Sequence, residues 1–226
     1  MKVHIYYRHY NITVSDGKNR PEWFNYEKCY HNLITSLQSK SELFRINIVY
    51  DGSSPNWIKQ TNHNQLIEIN AGGDFKSFQQ TCEIVKNDSL VEDGDLIYFL
   101  ENDYMHTAGW LDDVISLFTT YQGLDYVSLY DHNDKYFLPM YDGLVSKVFT
   151  SPTHHWRSTP STCGSFIMTK ERFNEDYDIL STMEGDHNKF LWLNEHRNRS
   201  VITPIPGLST HCMNGLLSPT IKWHTI

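Results

Sequence analysis

The chain has 226 residues, of which 39% are apolar and 14% aromatic, and this composition excludes an intrinsically disordered segment. Its 27 acidic residues outnumber its 19 basic ones, which gives a formal net charge of −8 at pH 7. This balance argues against broad electrostatic capture of DNA, RNA or anionic lipid, so we expect no nucleic-acid partner, and a cation or a few well-placed basic groups wherever a phosphate binds.

The first 130 residues alternate short strand patterns with longer amphipathic ones. β-Branched and aromatic residues predict strands over 2–7, 45–50, 66–69, 95–100 and 125–130. Apolar residues at three- and four-residue steps predict helices over 22–39 and 107–121, with Pro21 starting the first and Thr107 capping the second, and 74–87 is also helical. This alternation predicts an α/β fold with a mainly parallel central sheet flanked by helices.

After residue 130 the pattern changes and polar residues become frequent. Short strands are predicted over 136–141 and 145–150 as a hairpin, and 151–162 as a mobile loop. The remaining elements are a strand over 165–169, a helix opened by Thr169 and Lys170, a helix over 185–197, and a strand and tail over 201–226. We interpret the chain as a single domain over 1–226, with a smaller antiparallel element in the second half.

Several familiar site motifs are missing from the sequence. It contains no GxGxxG fingerprint, no GxxxxGK[ST] P-loop, no GxSxG elbow and no HExxH pair. The four cysteines lie far apart without zinc-ligand spacing, which predicts free, buried thiols. The first residues lack a signal-peptide pattern and no stretch approaches 18 apolar residues, so we expect a cytoplasmic protein without a transmembrane segment.

The clearest candidate site follows the strand 95–100. Glu101 and Asp103 come directly after this apolar run at positions i and i+2. Alternate residues of an extended segment face the same side, so both carboxylates can converge on a hard cation such as Mg²⁺ or Mn²⁺. Polar residues that simply end a buried strand give the same pattern, and spacing alone leaves both interpretations open.

Two further candidates follow neighbouring strands, where ligands bind in open parallel sheets. Asp51 closes the strand 45–50, and its carboxylate could accept a hydrogen bond from a base or a ribose, or could only form an Asp-Gly turn. Asn70 and Gly72 lie in a glycine-containing turn before the helical stretch 74–87, where the backbone can approach a ligand. The same residues would also serve a turn without any ligand.

The second half supplies another set of polar candidates. Glu184 and Asp186 open a helix, where either could act as a general base or could cap the helix. His211 follows a strand broken by Pro206 and Gly207, and is either a ligand or a structural histidine. Trp156 and Arg157 lie in the predicted loop, where they could stack on a sugar, contact a diphosphate or anchor the loop.

Taken in order, these features resemble glycosyltransferases of the GT-A fold, similar to family 2-like enzymes that use sugar nucleotides. The segment LIYFLENDYMHTAGWLDDV resembles the DxD region of that family, with an acidic triplet between an apolar strand and a tryptophan-bearing helix. Three later segments resemble a glycine-led strand, an acidic base motif and a C-terminal histidine motif: CGSFIM at 163–168, EGD at 184–186 with FLW at 190–192, and STH at 209–211.

The resemblance implies a role for each candidate residue. Asp103 and His211 would bind Mn²⁺ or Mg²⁺, with Glu101 near the metal or the ribose. Asp51 would face the base or ribose, Tyr7 and Arg8 would line the nucleotide floor, and Asp186 or else Glu184 would take the acceptor proton. Residues 1–130 would form the donor half, and 131–226 the acceptor half with the C-terminal metal-binding tail. For the donor site we also select Asn70, Gly72 and Arg157.

We therefore expect a metal-dependent glycosyltransferase of hexosyltransferase type that moves a sugar from a nucleoside-diphosphate sugar to an acceptor hydroxyl, inverting by direct displacement. We expect UDP to be the nucleotide that carries the sugar, and a glycan or another hydroxyl compound to be the acceptor. Two alternatives remain. One is a sugar-phosphate nucleotidyltransferase, which usually needs a basic glycine-rich loop after the first strand. The other is a non-catalytic carbohydrate-binding protein of the same fold.

Overall fold

The computed structural model describes residues 1–10, 17–37 and 40–226. The first elements in chain order are β1 Val3–Tyr10, α1 Tyr26–Leu37, β2 Phe44–Asp51, α2 Asn56–Lys59, β3 Gln65–Ile69, α3 Asp74–Asn87, β4 Leu96–Glu101, β5 Tyr104–His106, α4 Trp110–Thr120, β6 Tyr126–Val127 and a 3₁₀ turn at Asn133–Tyr136. A second 3₁₀ turn, Pro139–Tyr141, is followed by β7 Val148–Thr150, β8 His155–Thr159, β9 Phe166–Thr169, α5 Lys170–Thr182, α6 Asp186–Arg197, β10 Val201–Ile205, β11 Ser209–His211 and a 3₁₀ turn at Trp223–Thr225.

The large sheet has the strand order β3-β2-β1-β4-β9-β6-β10-β8-β7. The four strands β1 to β4 run parallel to one another, with β1 paired to both β2 and β4. Strand β9 lies antiparallel between β4 and β6, while β10 runs parallel to β6 and antiparallel to β8. The predicted α/β class, with helices around a central sheet and antiparallel strands in the second half, is confirmed.

Most buried apolar side chains form two layers, one on each face of the sheet, and a third, smaller cluster contains Cys29, Met105, Cys212 and Trp223. Strand β1 is buried along nearly its whole length, so its alternate residues enter opposite layers. Ile5 packs in the layer that contains apolar residues of α1 and α4, whereas Tyr6 packs in the layer that contains residues of α3, α5 and α6. Burial on both faces explains why β4 is an almost continuous apolar run.

Helix starts differ from the prediction in two places. Helix α1 begins at Tyr26 rather than near Pro21, because the Asn25 side chain accepts hydrogen bonds from the backbone N–H groups of Glu27 and Lys28. Helix α4 begins after Gly109, whose left-handed backbone ends the preceding turn, and Thr107 is not its cap. Thr169 does cap α5, as predicted. Residues 38–39, the predicted end of the first helix, lie outside the described residues.

In the second half, the predicted strand over 136–141 and the mobile loop over 151–162 are wrong, whereas the predicted strand over 145–150 is present in part as β7, which pairs with β8. Residues 133–141 form two 3₁₀ turns, and the segment 151–162 contains the strand β8. Trp156 is fully buried in the core, and its neighbour Arg157 is 5% exposed and donates to Asp131 at 2.7 Å. The polar composition was misleading because alternate residues of β8 face the core.

The four cysteines are free thiols, as expected, and all except Cys163 are buried. The closest sulfur atoms are those of Cys29 and Cys212, 3.9 Å apart. Across the described ranges, helices are too short or too polar to cross a membrane.

A buried carboxylate ties α5 to the segment after α6. Asp176 is fully buried and accepts hydrogen bonds from Tyr126 at 2.7 Å, Arg199 at 2.9 Å and Arg197 at 3.0 Å. Burial alone would raise the pKa of Asp176, but these hydrogen bonds outweigh it and lower the pKa.

We expect Asp176→Ala to lower the free energy of unfolding by about 3 kcal/mol, because it leaves buried donors without their acceptor. Asp178→Ala is the matched control: Asp178 also binds Arg197, at 2.7 Å, but is 62% exposed, so its removal should cost less than about 1 kcal/mol. Urea unfolding of both variants measures the difference, and equal losses would contradict a special role for the buried pair.

Candidate functional site

A cavity of about 680 Å³ lies at the carboxyl ends of β1, β2, β3 and β4. Six of the residues selected from the sequence line it: Arg8, Asp51, Asn70, Gly72, Glu101 and Asp103. The parallel strands end at one edge of the sheet, which is why residues far apart in the sequence meet there. This cavity is the candidate active site.

Arg8 and Glu101 form an ion pair in the wall of this cavity. Because β1 and β4 pair in register, Arg8 lies opposite Glu101, and its guanidinium donates to Glu101 Oε1 at 2.9 Å. Gly164 approaches the pair so closely that a Cβ atom there would lie 2.7 Å from Glu101 Oε1 and 2.9 Å from Arg8 Nη2. The glycine of the CGSFIM segment is therefore needed for space beside this pair.

Burial and neighbouring charges make Glu101 harder to ionise than a carboxylate in water. Burial raises the pKa of Glu101 to about 7; Arg8 opposes the shift, while the charges of Asp103 and Asp186 add to it. Both acidic neighbours therefore lie within electrostatic reach of Glu101.

A small two-stranded sheet, not foreseen from the sequence, joins Asp103 to His211. Strand β5 follows Asp103 immediately and pairs antiparallel with β11, which places His211 opposite Tyr104. The imidazole ring of His211 stacks on the ring of Tyr104 at 5.3 Å, and its Nε2 lies 3.0 Å from Asp103 Oδ2. The predicted association of the acidic triplet with the C-terminal histidine thus has a direct structural basis.

The same carboxylate oxygen of Asp103 is also contacted by two basic side chains. Lys18 Nζ lies 3.1 Å from Oδ2 and Arg20 Nη2 lies 2.7 Å from it. Burial would raise the pKa of Asp103, but the hydrogen bond from His211 and the charges of His211, Lys18 and Arg20 hold it well below its usual range. Asp103 is therefore a buried, ionised carboxylate.

The other oxygen, Asp103 Oδ1, is buried and has no hydrogen-bond partner among the described residues. A carboxylate oxygen without a protein partner is a suitable ligand for a hard divalent cation. Within the described ranges, however, no three His, Cys, Asp or Glu side chains form a metal-binding cluster. Asp103 thus offers one oxygen that could bind a cation, and His211 Nε2 lies on the other oxygen of the same carboxylate.

Asp51 organises the turn that borders the cavity. Its carboxylate accepts hydrogen bonds from the backbone N–H of Ala71 at 2.8 Å and of Gly72 at 3.1 Å. Gly72 has a φ of +70°, in the region that favours glycine. Asp51 therefore holds the turn after β3 and lines the cavity, and its contact with a base or ribose stays a prediction.

The two acidic residues of the EGD segment have different positions. Asp186 begins α6, has a side chain that is 33% exposed, and contacts Lys189 Nζ at 3.3 Å. Its charge acts on Arg8 as well as on Glu101. Glu184 is exposed and precedes the helix. Asp186 is the residue of this segment that lies near the Arg8–Glu101 pair.

Two residues assigned to donor binding do not line the cavity. The Tyr7 side chain points into the core, and its hydroxyl donates to the backbone carbonyl of Asn102 at 3.1 Å. It therefore contacts the acidic triplet from the core side of the sheet and not from the cavity. Arg157 lies on β8 and pairs with Asp131, which removes the basis for its proposed contact with a diphosphate. The buried position of β8 was hidden by its polar sequence.

The basic pair after β1 was missed by sequence reasoning, which gave Lys18 and Arg20 no role. Lys18 and Arg20 lie in GKNR, a basic stretch in an acidic chain, and this was the available signal. Tyr10, Ser77 and Asn102 also border the cavity. Their side chains carry no spacing pattern that distinguishes them from ordinary polar residues.

Neither a known protein-family profile nor a curated protein matches this sequence. Among solved structures, the chain is similar to S. aureus TarS residues 1–349, with a TM-score of 0.51 and 14% identity over 90% of this chain and 58% of that one. It is also similar to a protein of Desulfovibrio desulfuricans G20 described as a nucleotide-diphospho-sugar transferase, with a TM-score of 0.50 and 9% identity over 90% of this chain and 80% of that one.

The chain has the GT-A glycosyltransferase fold. At these identities the likeness establishes the GT-A fold itself, and the chain spans less than two thirds of the TarS structure. The GT-A fold accounts for the open sheet with its cavity at the strand ends. It also confirms the resemblance seen in the ordered motifs of the sequence.

Proposed function

We propose that the protein is a glycosyltransferase that takes its sugar from a nucleoside-diphosphate sugar bound in the cavity. The observation that supports this most strongly is Asp103: a buried, ionised carboxylate that lines the cavity after a strand end of a GT-A fold, with three nitrogen groups on one oxygen and no partner on the other. The D. desulfuricans neighbour, described as a nucleotide-diphospho-sugar transferase, supports the same class.

In this proposal the donor lies across the ends of the parallel strands. Asp51, Asn70 and Gly72 border the nucleoside end of the cavity, and the diphosphate lies toward Asp103. We propose that UDP is the nucleotide that carries the donor sugar. Residues 1–130 thus contribute the donor half of one domain, and residues 131–226 contribute the acceptor half and His211.

Asp103 and His211 would hold the Mn²⁺ or Mg²⁺ ion of a metal-dependent transferase. Such an ion, when bound, stabilises the negative charge that develops on the leaving diphosphate. Asp186 would take the proton of the acceptor hydroxyl as that oxygen attacks the anomeric carbon, which inverts the configuration. The Arg8–Glu101 pair, next to Gly164, fixes the wall between donor and acceptor halves.

A second candidate, a sugar-phosphate nucleotidyltransferase, is favoured by one observation. Such enzymes usually hold a triphosphate with basic residues after the first strand, and Lys18 and Arg20 occupy that segment here. A diphosphate and a triphosphate differ in charge, so the relative affinities of the protein for the two nucleotides distinguish a diphosphate site from a triphosphate site. A nucleotidyltransferase would bind the triphosphate of its base more tightly than the diphosphate.

We expect UDP, but not GDP or TDP, to raise the melting temperature of the protein, and Mn²⁺ to increase the shift. A ligand present at about 100 times its Kd stabilises the native state by roughly 2.7 kcal/mol. A thermal-shift panel with the three diphosphates and UTP, each with Mn²⁺ or with EDTA, measures this. No shift with any nucleotide would contradict the proposed function, and a larger shift with UTP would favour the nucleotidyltransferase.

A further inference from the structure

We infer that Lys189 is a positioning residue for the general base: its buried ammonium group holds the Asp186 carboxylate in place at the start of α6. The inference rests on the proposed function, which gives the acceptor proton to Asp186, and it adds to that function a residue that does not touch the substrate. It is drawn from the burial of Lys189 and from the ring of Phe78, which Lys189 shares with Arg8.

The first observation is that Lys189 is almost completely buried, with a side chain that is 1% exposed. Lysine is rarely buried to this extent unless it is paired. Within the described residues, its ammonium group makes one hydrogen bond, to Asp186 Oδ1 at 3.3 Å. Because a single long hydrogen bond does not fully offset the cost of taking an ammonium group out of water, an apolar side chain would stabilise the fold at least as well. Stability therefore does not account for a lysine at this position.

The second observation concerns the two ends of this ion pair. Lys189 follows Asp186 by three residues, so both side chains lie on the same face of α6. The Asp186 side chain is 33% exposed, whereas its partner is buried. A carboxylate in the first turn of a helix can otherwise change rotamer in water, but a partner fixed in the core restricts it. The ion pair thus determines where an accessible carboxylate lies.

The third observation is an aromatic ring that connects this ion pair to the cavity wall. Phe78 of α3 is 3% exposed, and Lys189 Nζ lies 4.3 Å from the centroid of its ring. The guanidinium carbon of Arg8 lies 5.1 Å from the same centroid, and Arg8 donates to Glu101 in the wall. Cations are attracted to the face of an aromatic ring. Phe78 therefore fixes the position of Lys189 relative to the Arg8–Glu101 pair.

This arrangement suits a residue that has to receive a proton at a defined place. Lys189 occupies Oδ1 of Asp186, and Oδ2 makes no hydrogen bond with the described residues. In the proposed reaction Oδ2 is then the oxygen that takes the acceptor proton. A general base works within hydrogen-bond reach of that proton, and a displacement of about 1 Å can lower the rate about 100-fold. Loss of Lys189 should therefore affect turnover more than binding or folding.

We expect Lys189→Met to lower kcat about 30-fold, because the carboxylate of Asp186 is no longer held in place. Methionine fills a similar volume beside Phe78, so the melting temperature should not fall. The Kd for UDP should also stay unchanged. Lys189→Arg keeps the positive charge and should retain more activity than Lys189→Met. The assay is hydrolysis of UDP-glucose, UDP-galactose and UDP-N-acetylglucosamine, with water as the acceptor and Mn²⁺ present.

A double variant tests whether Lys189 acts through Asp186. In the Asp186→Asn background, Lys189→Met should lower kcat no further, because the base that Lys189 positions is already gone. A purely structural role would lower kcat by the same factor in both backgrounds. Lys86→Met is the matched control: Lys86 also lies over an aromatic ring, that of Tyr177 at 3.9 Å, but is exposed, and its loss should leave kcat unchanged.

Crystal structures provide a readout that does not require turnover. The Asp186 carboxylate should occupy one rotamer in the unmodified protein and more than one in Lys189→Met. An unchanged single rotamer in the variant, an unchanged kcat, or an equal loss of kcat in the Asp186→Asn background would overturn the inference and leave the proposed function in place. If the unmodified protein binds no nucleoside diphosphate, the proposed function fails and this inference fails with it.

Discussion

Asp103→Asn is expected to lower the rate of sugar transfer by about 1,000-fold, since in the proposed mechanism it removes the charged ligand of the cation that stabilises the leaving diphosphate. The substitution keeps the shape of the side chain and one acceptor oxygen. The buried position of Asp103 and its three nitrogen partners give this residue the largest expected effect in the donor site. The measurement is transfer, or donor hydrolysis, at saturating Mn²⁺.

Two measurements separate this loss from a folding defect. Circular dichroism should show an intact fold, with the free energy of unfolding lowered by about 1–3 kcal/mol because Lys18, Arg20 and His211 lose their common anion. UDP should still bind in EDTA, but Mn²⁺ should no longer strengthen its binding. Near-normal turnover of Asp103→Asn with Mn²⁺ present would refute the assignment of Asp103 as a metal ligand.

The parallel half of the fold could be predicted because its strands are buried on both faces. A strand such as β4 is an apolar run that ends abruptly in Glu101 and Asp103, so both the element and the candidate site are visible in the sequence. The positions of Asp51 and Asn70 at neighbouring strand ends follow from the same rule. Hydrophobic periodicity and the direction of the strands were therefore sufficient to predict the sheet edge where the cavity lies.

The second half was harder to predict because long-range pairing, rather than local pattern, determines its structure. Strand β8 has the composition of a loop, yet its pairing with β10 buries Trp156 and directs Arg157 to Asp131. Strands β5 and β11 are each three residues long, too short for a period to be recognised, and they become strands by pairing with each other. The contact between Asp103 and His211 depends on that pairing.

The basic residues of the site illustrate a further limit of sequence reasoning. Lys18 and Arg20 lie in a segment without helix or strand pattern, and their contacts with Asp103 span more than 80 positions of the chain. Nothing local indicates which carboxylate they approach. Their contact with Asp103 is visible only in the three-dimensional structure.

Asp186→Asn is expected to reduce kcat about 1,000-fold while leaving the Kd for UDP unchanged, because a general base acts on the acceptor and not on the donor. The position of Asp186 supports this assignment. It begins α6, keeps a third of its side chain accessible, and lies close enough to Arg8 and Glu101 for its charge to act on both. An amide at this position cannot accept the proton of the attacking hydroxyl.

Glu184→Gln provides the internal control for this prediction. Glu184 lies two residues earlier, is exposed, and precedes the helix, so its substitution should change kcat less than about twofold. Both variants remove one negative charge from the same segment, so a general electrostatic effect would lower the two rates equally. If Glu184→Gln loses activity while Asp186→Asn retains it, the roles are reversed and the base reaches the acceptor from the turn before α6 instead of from its first residue.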